Sequence, residues 1–215
     1  MVIENFLVQG PAGRLECLLK SPPGLPEAAA VVCHPHPGFG GNLHNKVVHK
    51  LSSTLADLGG VALRFNFRGV GRSEGHFDEG VGERADALAA TDELRRRYPG
   101  TRLWIAGFSF GSWVGLGVGA ELPDVERLIG VAPPVGRSDF SFLQTCAKPK
   151  LIVQGDLDDV CPAELLGQAF GGWSEPKTLV TVPGANHFFD RHLSQLAQVL
   201  RENLGEAARG AAAAR

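Results

Sequence analysis

Leu103-Trp104-Ile105-Ala106-Gly107-Phe108-Ser109-Phe110-Gly111 is the stretch on which the fold turns. Leu103 to Ala106 is apolar and uncharged, as a buried strand is, and Ser109 to Leu122 suits a helix despite its glycines. Between them, Gly107 to Gly111 has the Gly-x-Ser-x-Gly spacing of a sharp strand-to-helix turn. Such a turn lifts a serine hydroxyl above the carboxyl edge of a sheet and aims a helix N-terminus at it. Its flanking glycines have a steric reason, because the turn leaves no room for side chains. The spacing alone is weak in a chain with 28 glycines, and it occurs twice. The second copy, Gly71-Arg72-Ser73-Glu74-Gly75, runs into His76-Phe77-Asp78-Glu79-Gly80, which has no helical periodicity. Ser73 therefore reads as a loop serine and Ser109 as a nucleophile.

Outward from this turn, apolar runs alternate with amphipathic segments. Ala28 to Cys33, Val61 to Phe67, Arg127 to Val131, Leu151 to Val153 and Thr178 to Val182 read as strands. Asn45 to Leu58 is helical, with Val47, Val48, Leu51, Leu55 and Leu58 on one face, and Gly59-Gly60 ends it. Glu83 to Tyr98 reads as a charged surface helix closed by Pro99-Gly100. The last helix aligns Leu193, Leu196, Ala197, Leu200 and Leu204. Such alternation predicts an α/β fold with a mostly parallel sheet and helices on both faces. Val2 to Val8 and Arg14 to Leu19 predict an antiparallel hairpin at the sheet edge. One domain over residues 1–204 is expected, followed by a low-complexity tail, 205–215.

The chain has 215 residues, is 44% hydrophobic and has a formal net charge of −2 with both signs interspersed. No basic stripe suggests nucleic acid and no polybasic run suggests a membrane surface. The four cysteines have no metal spacing, and the N-terminus lacks the basic and apolar segments of a signal peptide. These features predict a cytoplasmic protein without disulfides, metal or cofactor, acting on a small molecule.

A serine nucleophile needs an imidazole base, itself oriented by a carboxylate, and after this kind of turn they come in the order acid, then histidine. His187 sits in a loop just after the penultimate element, Thr178 to Val182, whereas His192 falls in the last helix. The acid belongs to Gly155-Asp156-Leu157-Asp158-Asp159-Val160. Asp158, near the turn's apex and ahead of the helix that Pro162 opens, ranks before Asp159 and Asp156. The cluster does not fit a calcium loop, because Val160 and Cys161 break the alternation of oxygen ligands. After the first buried strand, His34-Pro35-His36-Pro37-Gly38-Phe39-Gly40-Gly41-Asn42 can supply an oxyanion donor beside the Phe110 N–H. Pro35 and Pro37 have no N–H, so the donor is His36, with Gly38 the alternative. His34 and His36 leave the strand on opposite sides, which disfavours a shared metal.

With these residues placed, the chain resembles the α/β-hydrolase superfamily, and in particular the small lidless bacterial serine hydrolases related to dienelactone hydrolases. The resemblance is carried by His34 to Asn42 with Asn45 to Val48, Arg64 to Gly75, Gly107 to Gly111, Gly155 to Asp158 and Asn186 to Phe189. It implies Ser109 as nucleophile, Asp158 as acid, His187 as base, and the N–H groups of His36 and Phe110 as oxyanion donors. Dienelactone hydrolases proper use a cysteine nucleophile, so Ser109 removes that substrate assignment. The Arg68 to Gly75 loop is expected to be a structural rim.

Only Ala132 to Lys148 separates two strands where many esterases insert a helical cap, so the site is expected to be open. Phe39, Phe110, Trp113 and Phe188 are candidates to shape it, with Trp113 more readily a core residue. The expected reaction is cleavage of a small ester or thioester through an acyl-enzyme. The alternative is a binding protein that keeps the fold without turnover.

Overall fold

The computed structural model describes residues 1–209. Its strands are β1 (Val2–Gly10), β2 (Gly13–Ser21), β3 (Ala28–Cys33), β4 (Val61–Phe65), β5 (Arg102–Phe108), β6 (Val125–Val131), β7 (Lys150–Gly155) and β8 (Lys177–Val182). Its α-helices are α1 (Lys46–Asp57), α2 (Val81–Arg97), α3 (Phe110–Glu121), α4 (Ala163–Gly171) and α5 (Leu193–Arg209). The strands form one eight-stranded sheet in the order β1-β2-β4-β3-β5-β6-β7-β8. The hairpin β1–β2 joins β4 antiparallel, and from β4 to β8 every pair is parallel. The predicted α/β-hydrolase fold, with its edge hairpin, is the observed one.

Both faces are buried, so strand side chains alternate between two cores even where the sequence is continuously apolar. From β3, Ala29, Val31 and Cys33 enter one core, while Ala28, Ala30 and Val32 enter the other. The first core packs under α2 and α3 through Ala87, Ala90, Leu94, Val114 and Val118. The second lies under α1 and α5, with Val47, Leu51, Leu55, Leu196, Leu200 and Leu204. Asn45 starts α1 by accepting the N–H groups of Val47 and Val48, as an N-cap should.

Two details differ from the sequence reading and a third agrees with it. First, α2 buries two of its charges. Glu83 accepts the N–H groups of Asp78 and Gly80, while Asp86 accepts Arg68 through both carboxylate oxygens. Second, α5 continues to Arg209 with Ala208 buried, so the packed domain extends past residue 204. Arg102 donates to the Ala207 and Ala208 carbonyls at 2.7 and 2.8 Å, placing a cation at that helix end. The rest of the expected tail, 210–215, lies outside the described residues. Third, the second Gly-x-Ser-x-Gly copy is, as expected, a structural loop, and its serine ties two segments together. Ser73 Oγ donates to the Asn66 carbonyl at 2.7 Å and accepts the Glu16 N–H at 2.9 Å. Among the described residues no helix is long and apolar enough to cross a membrane.

Candidate active site

The turn after β5 sets Ser109 at φ 52°, a conformation that a side-chain-bearing residue adopts only at a cost in backbone strain. A Cβ on Gly107 would lie 2.2 Å from the Gly111 carbonyl oxygen. One on Gly111 would lie 2.4 Å from the carbonyl oxygens of both Cys33 and His34. Close backbone approach therefore explains both glycines of the motif.

The ends of β7 and β8 bring the other two groups to this turn. His187 Nε2 lies 3.1 Å from Ser109 Oγ, and its Nδ1 lies 2.9 Å from Asp158 Oδ2. A carboxylate can only accept, so Nδ1 carries the proton and Nε2 is left to accept the serine hydroxyl. Asp158 is held from every side. Its Oδ1 accepts the N–H groups of Val160 and Cys161 at 2.9 and 2.7 Å, and its Oδ2 also accepts Gln154 Nε2 at 3.0 Å. Asp156 instead accepts the Gly184 N–H at 2.6 Å, and Asp159 is exposed. Of the three candidate acids, only Asp158 meets the imidazole. The base loop is pinned in turn, since Asp190 pairs with Lys46 and accepts Asn186 Nδ2 at 2.9 Å.

Of the two candidate oxyanion donors in the loop after β3, the Gly38 N–H is already committed to His36 Nδ1 at 3.0 Å. Among the described residues the N–H groups of His36 and Phe110 have no acceptor within the chain. His34 points the other way. It is fully buried, its Nδ1 lies 2.6 Å from the Pro35 carbonyl, and its Nε2 accepts the Phe67 N–H at 3.0 Å. Burial lowers its pKa to about 4 and keeps it neutral.

One metal-like grouping occurs among the described residues: Asp158, Cys161 and His187, whose donor atoms lie within 4.8 Å of one another. It suits a cation poorly. The carboxylate oxygens and the imidazole Nδ1 are spent on the hydrogen bonds above. Burial, with the Asp158 charge, pushes the Cys161 thiol up to about 12, away from the thiolate a metal needs.

Ser109 and His187 open onto a cleft of about 810 Å³. Phe39, Phe110 and Phe188 line it as expected, and so does Trp113, which also packs half-buried against the first core, as the sequence favoured. Between β6 and β7 only a short 3₁₀ turn, Ser141–Gln144, occurs, so no cap is present. Lining groups that sequence reasoning missed include Phe77, Glu79 and Arg137. They sit in loops without periodicity, where no pattern marks them. Gln154 was also missed, although a polar side chain inside the apolar run of β7 was a usable signal.

A family model described as serine aminopeptidase, S33, matches residues 25–148. The chain belongs to this family of α/β serine hydrolases. Solved relatives agree along nearly the whole length. An α/β serine hydrolase homologue from Coxiella burnetii is 42% identical with a TM-score of 0.90, covering 95% of this chain and 98% of its own. A lidless α/β serine hydrolase from Xanthomonas campestris is 38% identical with a TM-score of 0.88, covering 94% and 93% respectively. An uncharacterised protein of Rickettsia prowazekii is 36% identical over 204 residues, covering 91% of this chain and 86% of its own. The resemblance read from the sequence to lidless α/β serine hydrolases is thus the family found.

Proposed function

We propose that this α/β serine hydrolase cleaves small esters or thioesters through an acyl-enzyme on Ser109. The observation that carries the reading is the continuous hydrogen-bonded chain from Ser109 Oγ through His187 to Asp158. In this reading His187 Nε2 takes the hydroxyl proton as Ser109 Oγ attacks the carbonyl carbon, and Asp158 stabilises the imidazolium that forms. The tetrahedral oxyanion is met by the N–H groups of His36 and Phe110, the latter at the positive end of α3. His187 then returns the proton to the leaving oxygen or sulfur, which departs as the alcohol or thiol. In the second half-reaction it deprotonates a water that attacks the acyl carbon and frees Ser109.

No step needs a cofactor, and the four free, buried cysteines fit a reducing cytoplasm. The name of the matching family model raises amide cleavage as a second reading. The open, capless cleft favours small esters, whose leaving groups depart more readily. The test is hydrolysis of p-nitrophenyl acetate and butyrate beside alanine p-nitroanilide, by the native protein and Ser109→Ala. Ester turnover that falls at least about a thousandfold in the variant supports the proposal. A folded native protein inert to all three favours the non-catalytic, ligand-binding alternative.

A further inference from the structure

The Ser109 cleft is chemically two-sided. One wall is aromatic: the His36 ring lies 4.9 Å from Phe39, 4.8 Å from Phe77 and 5.0 Å from Phe110, and Phe110 continues to Trp113 at 5.8 Å. The connection after β6, which carries Arg137, also lines the cleft. Trp113 joins the two. Gly80 packs against the six-membered edge of its indole, while its Nε1 donates to the Asp139 carbonyl at 2.9 Å. Glu79 therefore adjoins one edge of the indole, and Arg137 lies two residues before the contact at the other.

Among the described residues Arg137 has no ion-pair partner. The acid nearest to it in sequence, Asp139, also lines the cleft, and it spends both carboxylate oxygens on Ser141 while keeping its charge. Its Oδ1 accepts that residue's N–H and its Oδ2 the hydroxyl, each at 2.8 Å. Arg137 is near enough to the acid loop for its charge to oppose the burial and the Asp158 charge that raise the buried Cys161 thiol. A guanidinium offers a planar fork matched to a carboxylate, whereas Glu79, also in the lining, repels an anion. The cleft thus has an apolar, flat-walled side and, among its described lining residues, a single available cation.

We propose that Arg137 forms an anion subsite of this cleft, so that the preferred substrate is an ester with a carboxylate on one arm and a flat apolar group on the other. This specificity rests on the ester-hydrolase reading above, and the test separates the two. Two matched pairs serve as probes: p-nitrophenyl hydrogen glutarate against p-nitrophenyl butyrate, and 3-carboxyphenyl acetate against phenyl acetate. The quantity read is the ratio of kcat/KM for the charged ester to that for its neutral counterpart. Arg137→Gln lowers this ratio about five- to tenfold in at least one pair, and Arg137→Glu lowers it further. The native preference also shrinks at about 0.5 M salt, as an exposed charge contact requires. Ratios that stay the same in both variants for both pairs overturn the subsite. Should no ester be turned over, the hydrolase reading fails while the subsite is still tested by calorimetry with 3-phenylpropionate and 3-phenylpropionamide. Tighter binding of the carboxylate that disappears in Arg137→Gln supports the subsite, and equal binding or a preference that persists overturns it.

Discussion

The Leu157 N–H donates to the Ala185 carbonyl at 3.0 Å, stitching the loop that carries Asp158 to the loop that carries His187. This contact is close because Gly155 has no side chain. A Cβ there would lie 2.2 Å from the Ala185 carbonyl oxygen, a backbone atom that cannot turn aside. Gly155→Ala should cost about 1–3 kcal/mol as overpacking, a fall in Tm of about 5 °C. It should lower ester turnover at least about tenfold as the two loops separate. Thermal melts and kcat/KM check this, and an unchanged Tm would count against the contact.

The three aspartates of the acid loop make separable predictions. Asp158→Asn should lower kcat by about a thousandfold or more, because an amide can turn an N–H toward Nδ1 and favour the wrong tautomer. Asp156→Asn keeps an oxygen that accepts the Gly184 N–H and loses only the charge on that bond, so its effect should fall on stability, by about 1 kcal/mol at most. Asp159→Asn, at an exposed position, should be near neutral. Steady-state kinetics and urea melts of the three variants side by side decide the order.

Gln154 positions Asp158 without touching substrate. Its Nε2 donates to Asp158 Oδ2 and, at 2.6 Å, to the Cys161 carbonyl, while its Oε1 is buried without a partner. That amide orientation is forced, since the reverse would set an oxygen against a carboxylate. Gln154→Leu keeps the volume but drops one hydrogen bond to a charged group, so kcat should fall about tenfold with KM unchanged. Gln154→Glu, which adds a second acid beside Asp158, should be worse. A purely structural role would instead lower Tm and leave kcat intact.

Much of this was legible in the sequence because strand–helix alternation and the glycine spacing report backbone geometry directly. Ser109 and His187 are recoverable from their places after β5 and β8, and Asp158 from its turn. What stayed hidden depends on packing between distant segments. The burial of Glu83 and Asp86 in a helix that reads as charged surface comes from Arg68 and from the turn before α2, which pattern alone does not connect. Trp113 reads as core because aromatic residues on a helix usually pack inward. Its place in the cleft is set by the Gly80 turn and the loop after β6, both far away in sequence.

His34 makes folding pH-dependent. Its pKa is about 4 in the folded chain against about 6.5 when exposed, so the unfolded chain binds more protons between those values. Stability is therefore fully present above about pH 6.5 and is lost as pH falls toward 4, by roughly 3 kcal/mol in total. His34→Gln, which does not titrate, should remove that share of the slope. Urea denaturation of both proteins from pH 7.5 to about pH 4 measures the difference, and identical slopes would contradict it.

The most direct measurement is intact-mass and peptide mapping after exposure to a fluorophosphonate, which phosphonylates only an activated serine. One equivalent should add to the native protein, map to Ser109, and be absent from Ser109→Ala. A folded protein that takes up no reagent, or an adduct that persists in the variant, would contradict the assignment of Ser109 as a nucleophile driven by His187.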